Sequence, residues 1–128
     1  MIVVDASVLI AHLDATDVHH DRAGALLVDI AGEPLGASPI TLAEVLVGPA
    51  LAGKLDRATA AVQQLAVTQV GLEDDSPVRL AALRATTRLK LPDCCVLLAA
   101  EQARGAVATF DGRLAGAAHQ RGLGVRNG

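Results

Sequence analysis

The sequence predicts a single α/β domain over residues 1–128, a three-layer sandwich with a central, mostly parallel sheet of four to five strands flanked by helices. Short β-branched runs alternate along the chain with segments of helical periodicity. A length of 128 residues suffices for one substantial core. Because hydrophobic residues make up 52% of the chain and aromatic ones 1%, Leu, Val, Ile and Ala must fill that core.

Local signals predict each element in turn. The first β-branched run ends at Asp5, and Ser7 then offers an N-cap hydroxyl to a helix. Asp17 is the N-cap candidate of the second helix, and Pro49 is expected to bend or end the last turn of the third. Two later helices open on a proline, which a first turn tolerates. The predicted strands are residues 2–4, 35–38, 67–72, 106–109 and 123–126, and the predicted helices are residues 8–13, 18–31, 40–51, 54–65, 75–89, 92–105 and 112–121.

Four acidic residues lie where such a fold places its functional sites. Asp5 follows the first predicted strand and Asp111 the fourth, and parallel sheets bind ligands beyond the carboxyl ends of their strands. Glu44 and Asp93 lie in the first turns of helices that follow loops, which lead to the same edge. Each of three acids, taken alone, also has a structural explanation: Asp5 and Asp111 could cap helices, and Asp93 could be favoured by the dipole at a helix N-terminus. Glu44, in an apolar helix, needs a partner or a cation.

Four carboxylates brought together repel one another unless protons or cations neutralise them. Ligands that are all oxygen select hard cations, so Mg²⁺ or Mn²⁺ is the expected occupant. Such ions activate water, brace a phosphate and stabilise the leaving oxygen of a phosphodiester. The four acids therefore indicate nuclease chemistry.

The charge balance neither requires nor excludes a nucleic-acid substrate. With 14 acidic and 11 basic residues the net charge is −3, which lacks the footprint of a general nucleic-acid binder. A nuclease, however, needs acid at its centre and base only at its rim. One phenylalanine, Phe110, cannot form an aromatic stacking platform, so RNA binding is expected to depend on phosphate contacts. Candidates for the basic rim are Arg79, Arg84, Arg88, Arg104, Arg113, Arg121 and Arg126.

With these acids in place, the chain resembles the PIN domain family over nearly its whole length. The family's first strand, acid and Ser-capped helix are matched by VVDASVLIA, its second acidic segment by SPITLAEVLVG, its third by LPDCCVLLAA and its fourth by ATFDGRL. Order, spacing and local structure agree in all four segments. The size is that of the VapC-type toxins of toxin-antitoxin systems.

The resemblance implies that the four acids hold Mg²⁺ or Mn²⁺ and that Ser7 or Thr109 orients an acid or a metal-bound water. It implies endonucleolytic hydrolysis of RNA by metal-activated water, leaving a 3′-hydroxyl and a 5′-phosphate. It further implies a homodimer and neutralisation by an antitoxin protein whose tail enters the active-site groove. We expect the dimer to form through apolar helical faces in the middle of the chain.

The sequence departs from the family pattern in three places. Ala6 stands where relatives often carry Thr, and the pair Cys94 and Cys95 replaces small residues after the third acid. No acid follows Asp111 closely, so a second metal is expected to bind weakly or only with substrate. Arg113, close to Asp111, is either a surface charge or a phosphate contact.

Two other functions fit parts of this pattern. A phosphoacceptor receiver domain also has acids at strand ends, but it needs a late Lys, and neither Lys54 nor Lys90 follows a late strand. A PIN fold that binds RNA or a protein without cutting is the second alternative, against which the four intact acids argue.

The sequence predicts a cytoplasmic protein. Adjacent Cys94 and Cys95 in an apolar helical run would form a strained disulfide and are expected to be buried, reduced side chains. The opening residues lack the basic start of a signal peptide, and no apolar run reaches membrane-spanning length.

Overall fold

The computed structural model describes residues 1–128 as five strands and seven helices. The strands are β1 (Ile2–Val4), β2 (Leu35–Ala37), β3 (Val67–Gln69), β4 (Ala106–Ala108) and β5 (Val125–Arg126). The helices are α1 (Ala6–Leu13), α2 (His20–Asp29), α3 (Pro39–Leu51), α4 (Leu55–Gln64), α5 (Ser76–Thr87), α6 (Leu91–Ala103) and α7 (Gly112–Gln120).

All five strands form one sheet in the order β3-β2-β1-β4-β5, and every pairing is parallel. In the central pair, Val3 of β1 lies opposite Val107 of β4. The predicted α/β class is confirmed, with the sheet wholly rather than mostly parallel.

Two apolar cores lie on opposite faces of the sheet, because successive residues of a strand point to opposite sides. Ile2 and Val4 belong to one core, which α1 to α4 complete. Val3 belongs to the other, which α5 to α7 complete. The three-layer sandwich predicted from the sequence is therefore present.

The connections between strands set the position of the candidate site. From β1 the chain passes through α1 and α2 to β2, and through α3 and α4 to β3, moving outward across the sheet. Helices α5 and α6 then return it to β4, on the other side of β1. The strand order thus reverses between β1 and β4, and open α/β sheets bind ligands at such a switch point, beyond the carboxyl ends.

Several local predictions were wrong in detail. Asp5, not Ser7, is the N-cap residue of α1, and the helix begins two residues earlier than predicted because Ser7 lies inside its first turn. Asp17 does not cap α2, which begins at His20 after the N-cap residue His19. The Asp17 carboxylate instead accepts the backbone N–H of His19 at 2.8 Å and stabilises the turn before the helix.

Two further element boundaries also differ from prediction. Helix α3 begins at Pro39, one residue before the predicted start, and Glu44 lies in its second turn rather than its first; the helix ends at Leu51, as predicted, with Pro49 in its last turn. Strand β3 ends at Gln69, since only residues 67–69 pair with β2.

Cys94 and Cys95 are both free and buried, as predicted. Both lie on α6, where Cys94 packs in the second core. No helix combines the length and the apolar character that crossing a lipid bilayer requires.

Candidate active site

Asp5 is the buried centre of the candidate site. It stands at the junction of β1 and α1, and only 5% of its surface is exposed. Its Oδ2 atom accepts hydrogen bonds from the hydroxyls of Ser7 and Thr109, each at 2.8 Å. A buried carboxylate requires such donors, and both of them bind the same oxygen. Oδ1 is thereby left as the oxygen that can meet a ligand.

Two backbone groups fix the direction of those hydroxyls. The Phe110 N–H donates to the Ser7 oxygen at 3.1 Å, and the Asp111 N–H donates to the Thr109 oxygen at 3.0 Å. A hydroxyl carries one proton, and because each oxygen already accepts an N–H, that proton is directed to Asp5. The chain after β4 therefore helps to hold the Asp5 carboxylate in place, through the hydroxyls of Ser7 and Thr109.

Asp111 has a structural task in addition to its place at the site. It is the N-cap residue of α7, and its Oδ1 atom accepts the backbone N–H groups of Arg113 at 2.9 Å and Leu114 at 3.1 Å. Its other carboxylate oxygen is left for further interactions. The capping role and the acidic role proposed from the sequence thus occupy different oxygens.

Burial and neighbouring acids raise the pKa values of both Glu44 and Asp93. Burial, followed by the charges of Asp5 and Asp93, raises the pKa of Glu44 above its ordinary value. Burial, followed by the charges of Asp5 and Asp111, raises the pKa of Asp93, although Lys90 and Arg113 oppose the rise. The charges of Asp5 and Asp93 therefore reach Glu44, and those of Asp5 and Asp111 reach Asp93.

Two cations border this cluster. Lys90 is the N-cap residue of α6, three positions before Asp93, and Arg113 lies in the first turn of α7, two positions after Asp111. Both lower the pKa of Asp93, so both lie near its carboxylate. The sequence had singled out Arg113 but not Lys90, although its position one helical turn from Asp93 was a usable signal.

Most of the predicted rim arginines are engaged elsewhere. Glu101 pairs with two of them, Arg79 at 3.5 Å and Arg121. Arg126 pairs with Glu33 at 3.3 Å. Arg84 donates to the Leu89 carbonyl at 2.7 Å and holds the turn between α5 and α6. Three members of the predicted rim remain outside such contacts: Arg88, Arg104 and Arg113.

The donor set fits a hard divalent cation. All four candidate ligands are carboxylates, and burial raises the pKa values of the nearby thiols of Cys94 and Cys95, which keeps them protonated and unsuited to metal binding. No group of three or more His, Cys, Asp or Glu side chains lies close enough together to hold a metal ion as the side chains stand. Repulsion among the carboxylates favours this open arrangement.

The comparison with family models decides the family. The model of the PIN domain matches residues 2–120. The chain belongs to the PIN domain family. This assignment excludes the receiver-domain alternative. Among curated proteins, none matches the sequence significantly.

Solved PIN-fold structures agree with this assignment. A toxin-antitoxin complex from Klebsiella pneumoniae contains a chain with 26% identity and a TM-score of 0.68, the match covering 87% of each chain. VapC20 of Mycobacterium tuberculosis, described as a toxin that cleaves the sarcin-ricin loop, has 20% identity and a TM-score of 0.70 over 91% of this chain and 95% of its own. VapBC2 of Rickettsia felis, solved with a DNA fragment from its promoter, has 15% identity and a TM-score of 0.74 over 99% of this chain and 98% of its own. The latter two likenesses concern the fold.

Proposed function

We propose that this PIN domain is a metal-dependent endoribonuclease, the toxin of a toxin-antitoxin pair, acting on RNA in the cytoplasm. One observation carries the proposal: at the switch point of a PIN fold, two hydroxyls hold the buried Asp5, whose charge acts on Glu44 and Asp93, while the charge of Asp111 acts on Asp93. The solved relatives include a toxin-antitoxin complex and an RNA-cleaving toxin, which supports the same activity here.

Each acid has a distinct part in holding the cation. Asp5 offers Oδ1 from a fixed position, and Asp111 offers the oxygen that does not cap α7. Glu44 and Asp93, on α3 and α6, face them and complete the anionic surface. When bound, Mg²⁺ or Mn²⁺ supplies Lewis acidity at the scissile phosphate and lowers the pKa of an attacking water.

The remaining chemistry belongs to the protein. Ser7 and Thr109 keep Asp5 oriented, since both hydroxyls donate to the same carboxylate oxygen. Lys90 and Arg113 bind RNA phosphates next to the acids and attract the strand toward an otherwise negative surface. Hydrolysis leaves a 3′-hydroxyl and a 5′-phosphate.

An apolar groove beside Glu44 suits the antitoxin. Its volume is about 320 Å³, and Leu13 and Pro49 also line a second groove of about 290 Å³. An antitoxin segment in the first groove lies against Glu44 and blocks access to the acids. The first groove is lined by Ile10, Leu13, Asp14, Glu44, Val45, Gly48, Pro49 and Ala52.

Exposed aliphatic side chains in the middle of the chain support a homodimer. Val47 is 56% exposed and Leu51 is 86% exposed, both on α3, and Leu55 opens α4 with 43% exposed. A cluster of this kind is typical of a protein interface. Light scattering at micromolar concentration tests the dimer, and a monomer would contradict it.

Cleavage of total cellular RNA tests the enzymatic activity. The purified, antitoxin-free protein is incubated with Mg²⁺ or Mn²⁺, with EDTA, and as the Asp5→Asn and Asp93→Asn variants. We expect discrete fragments from the wild type, none with EDTA, and a loss of rate of roughly 10²- to 10³-fold or more in either variant.

Asp29→Asn is the matched control, since Asp29 is an exposed carboxylate at the end of α2, outside the acid cluster. It is expected to cut like the wild type. Fragments that persist in EDTA or in both variants would sink the proposal. An absence of cleavage by every preparation would favour a PIN module that binds without cutting.

A further inference from the structure

The single aromatic ring of the chain lies beside the acids rather than in a core. Phe110 stands between Thr109 and Asp111, and its backbone N–H belongs to the network that holds Asp5. The ring is half-buried against the edge of the first core. Two side chains from the start of α2 cover it, Arg22 and His19.

Arg22 lies over this ring and makes a cation–π contact with it. Its guanidinium carbon is 4.3 Å from the centroid of the Phe110 ring. Nε and Nη2 both donate to the backbone carbonyl of Asn127, with Nε at 3.1 Å. The His19 ring lies 5.4 Å from the Phe110 ring, at an interplanar angle of 44°. Stacking and hydrogen bonding together fix the plane of the guanidinium.

The positive charge of Arg22 has no acidic partner. The three ion pairs of the chain involve Arg79, Arg121 and Arg126, and both bonds of Arg22 end on a neutral carbonyl. An exposed arginine that only held the chain end in place would not need an aromatic support. A planar cation that is preoriented and unneutralised is, by contrast, suited to bind a planar, electron-rich ligand beside a phosphate.

We propose that Arg22, supported by Phe110, stacks on a nucleobase of the RNA strand next to the scissile phosphate. The inference rests on the proposed ribonuclease function and adds to it a base contact where composition predicted phosphate contacts alone. Unstacked bases of single-stranded RNA stack on arginine planes as they do on aromatic rings. Two N–H groups bind the Asn127 carbonyl and the guanidinium carbon lies over Phe110, so we expect the base on the side of the guanidinium that is turned away from Phe110. His19, exposed at the edge of the ring, borders the same position.

Binding of RNA with and without bases tests this contact. Fluorescence anisotropy measures the affinity of the full chain for a labelled oligouridylate and for a fully abasic ribose-phosphate strand of the same length, in EDTA so that no strand is cut. The two strands carry the same charge and differ only in bases. We expect the wild type to bind the oligouridylate roughly 5- to 100-fold more tightly.

Arg22→Lys keeps the charge and a donor for the Asn127 carbonyl but lacks the plane, so the ratio of the two affinities should fall close to one. Phe110→Leu should lower the ratio as well, because it removes the ring beneath the guanidinium. The control is Arg104→Lys, which alters an exposed arginine at the far end of α6 and should leave the ratio unchanged. Thermal melting confirms that each variant is folded.

A wild-type ratio near one, or an unchanged ratio in Arg22→Lys, would overturn the stacking contact. If the wild type nevertheless cuts total RNA with Mg²⁺, the nuclease proposal stands and only the stacking proposal fails. A wild type that binds neither strand and cuts no RNA overturns both.

Discussion

The two halves of the acid cluster differ in what holds them. Asp5 is buried, and two hydroxyls whose own oxygens are fixed by backbone N–H groups bind one of its oxygens. Glu44 is exposed and Asp93 half-buried, and partial burial, followed by repulsion from neighbouring acids, raises the pKa of each. The folded chain therefore holds Asp5 in position before any ligand binds. The charges of Glu44 and Asp93 are left to be neutralised by a cation or by protons.

Removing the Thr109 hydroxyl, which holds Asp5, should give the largest effect on RNA cleavage and stability. Thr109→Val keeps the shape of a fully buried side chain, but Asp5 loses a donor and the Asp111 N–H loses its acceptor. We expect cleavage to fall by roughly 10- to 100-fold, as for other groups that orient metal ligands. The unfolding free energy should fall by about 1 to 3 kcal/mol, because a buried N–H is left unsatisfied. RNA cleavage and urea denaturation measure the two effects.

Two matched variants separate orientation from stability. Thr109→Ser retains the hydroxyl and should restore most of the activity. Thr68→Val makes the same exchange on the exposed edge strand β3 and should change stability by less than about 0.5 kcal/mol. If Thr109→Val cleaves RNA as fast as the wild type, the hydrogen bond from Thr109 to Asp5 is not needed for cleavage.

The surroundings of Asp5 were easier to predict from the sequence than those of Glu44 and Asp93. Asp5 follows a short apolar strand, and Ser7 and Thr109 adjoin acids at strand ends, so their place at the carboxyl edge follows from local pattern. Their hydrogen bonds were not predictable, because the Thr109 to Asp5 bond joins residues 104 positions apart. For the same reason the contact of Arg22 with Phe110 left no signal in the sequence.

The fold class was predictable because the alternation of strands and helices can be read from local sequence. The choice of a helix cap, in contrast, depends on which other groups compete for the capping side chain in the folded protein. Ser7 has the ideal side chain for an N-cap, but in the folded chain Asp5 offers it a buried charged acceptor, and a charge-assisted bond outweighs a cap. Pro49 lies in the last turn of α3, which ends at Leu51, as the sequence predicted. Tertiary contacts thus changed boundaries without changing elements.

The contribution of Glu44 to stability should depend on pH in the metal-free protein. A carboxyl whose pKa is raised on folding destabilises the folded state at neutral pH, and this penalty fades as the pH falls through the raised pKa. Glu44→Gln should therefore raise the melting temperature in EDTA at pH near 7. The gain should vanish at a pH below about 4, where Glu44 is protonated in both states. Since Glu44 is exposed, the gain is expected to stay below about 1 kcal/mol.

Glu73→Gln is the control for this comparison, since Glu73 is an exposed carboxylate outside the acid cluster. It should show no gain in EDTA at neutral pH. In Mg²⁺ the wild type should melt at a higher temperature than Glu44→Gln, because the wild type gains more stability from binding the cation. A Glu44→Gln variant that is less stable than the wild type at neutral pH in EDTA would show that Glu44 does not face repulsion.

The smallest expected effect concerns the cations that border the cluster. In Arg113→Gln the backbone N–H still caps against Asp111, so stability should stay close to that of the wild type while one phosphate contact is lost. The slope of log Kd for RNA against log salt concentration should then shrink by about 0.7, the value for one phosphate on a single strand. Arg104→Gln, at the other end of α6 from Asp93 and so roughly 16 Å away along the helix, should leave the slope unchanged. Equal slopes for both variants would mean that the strand does not cross the face beside Asp93 and Asp111, and that Arg113 is a surface charge.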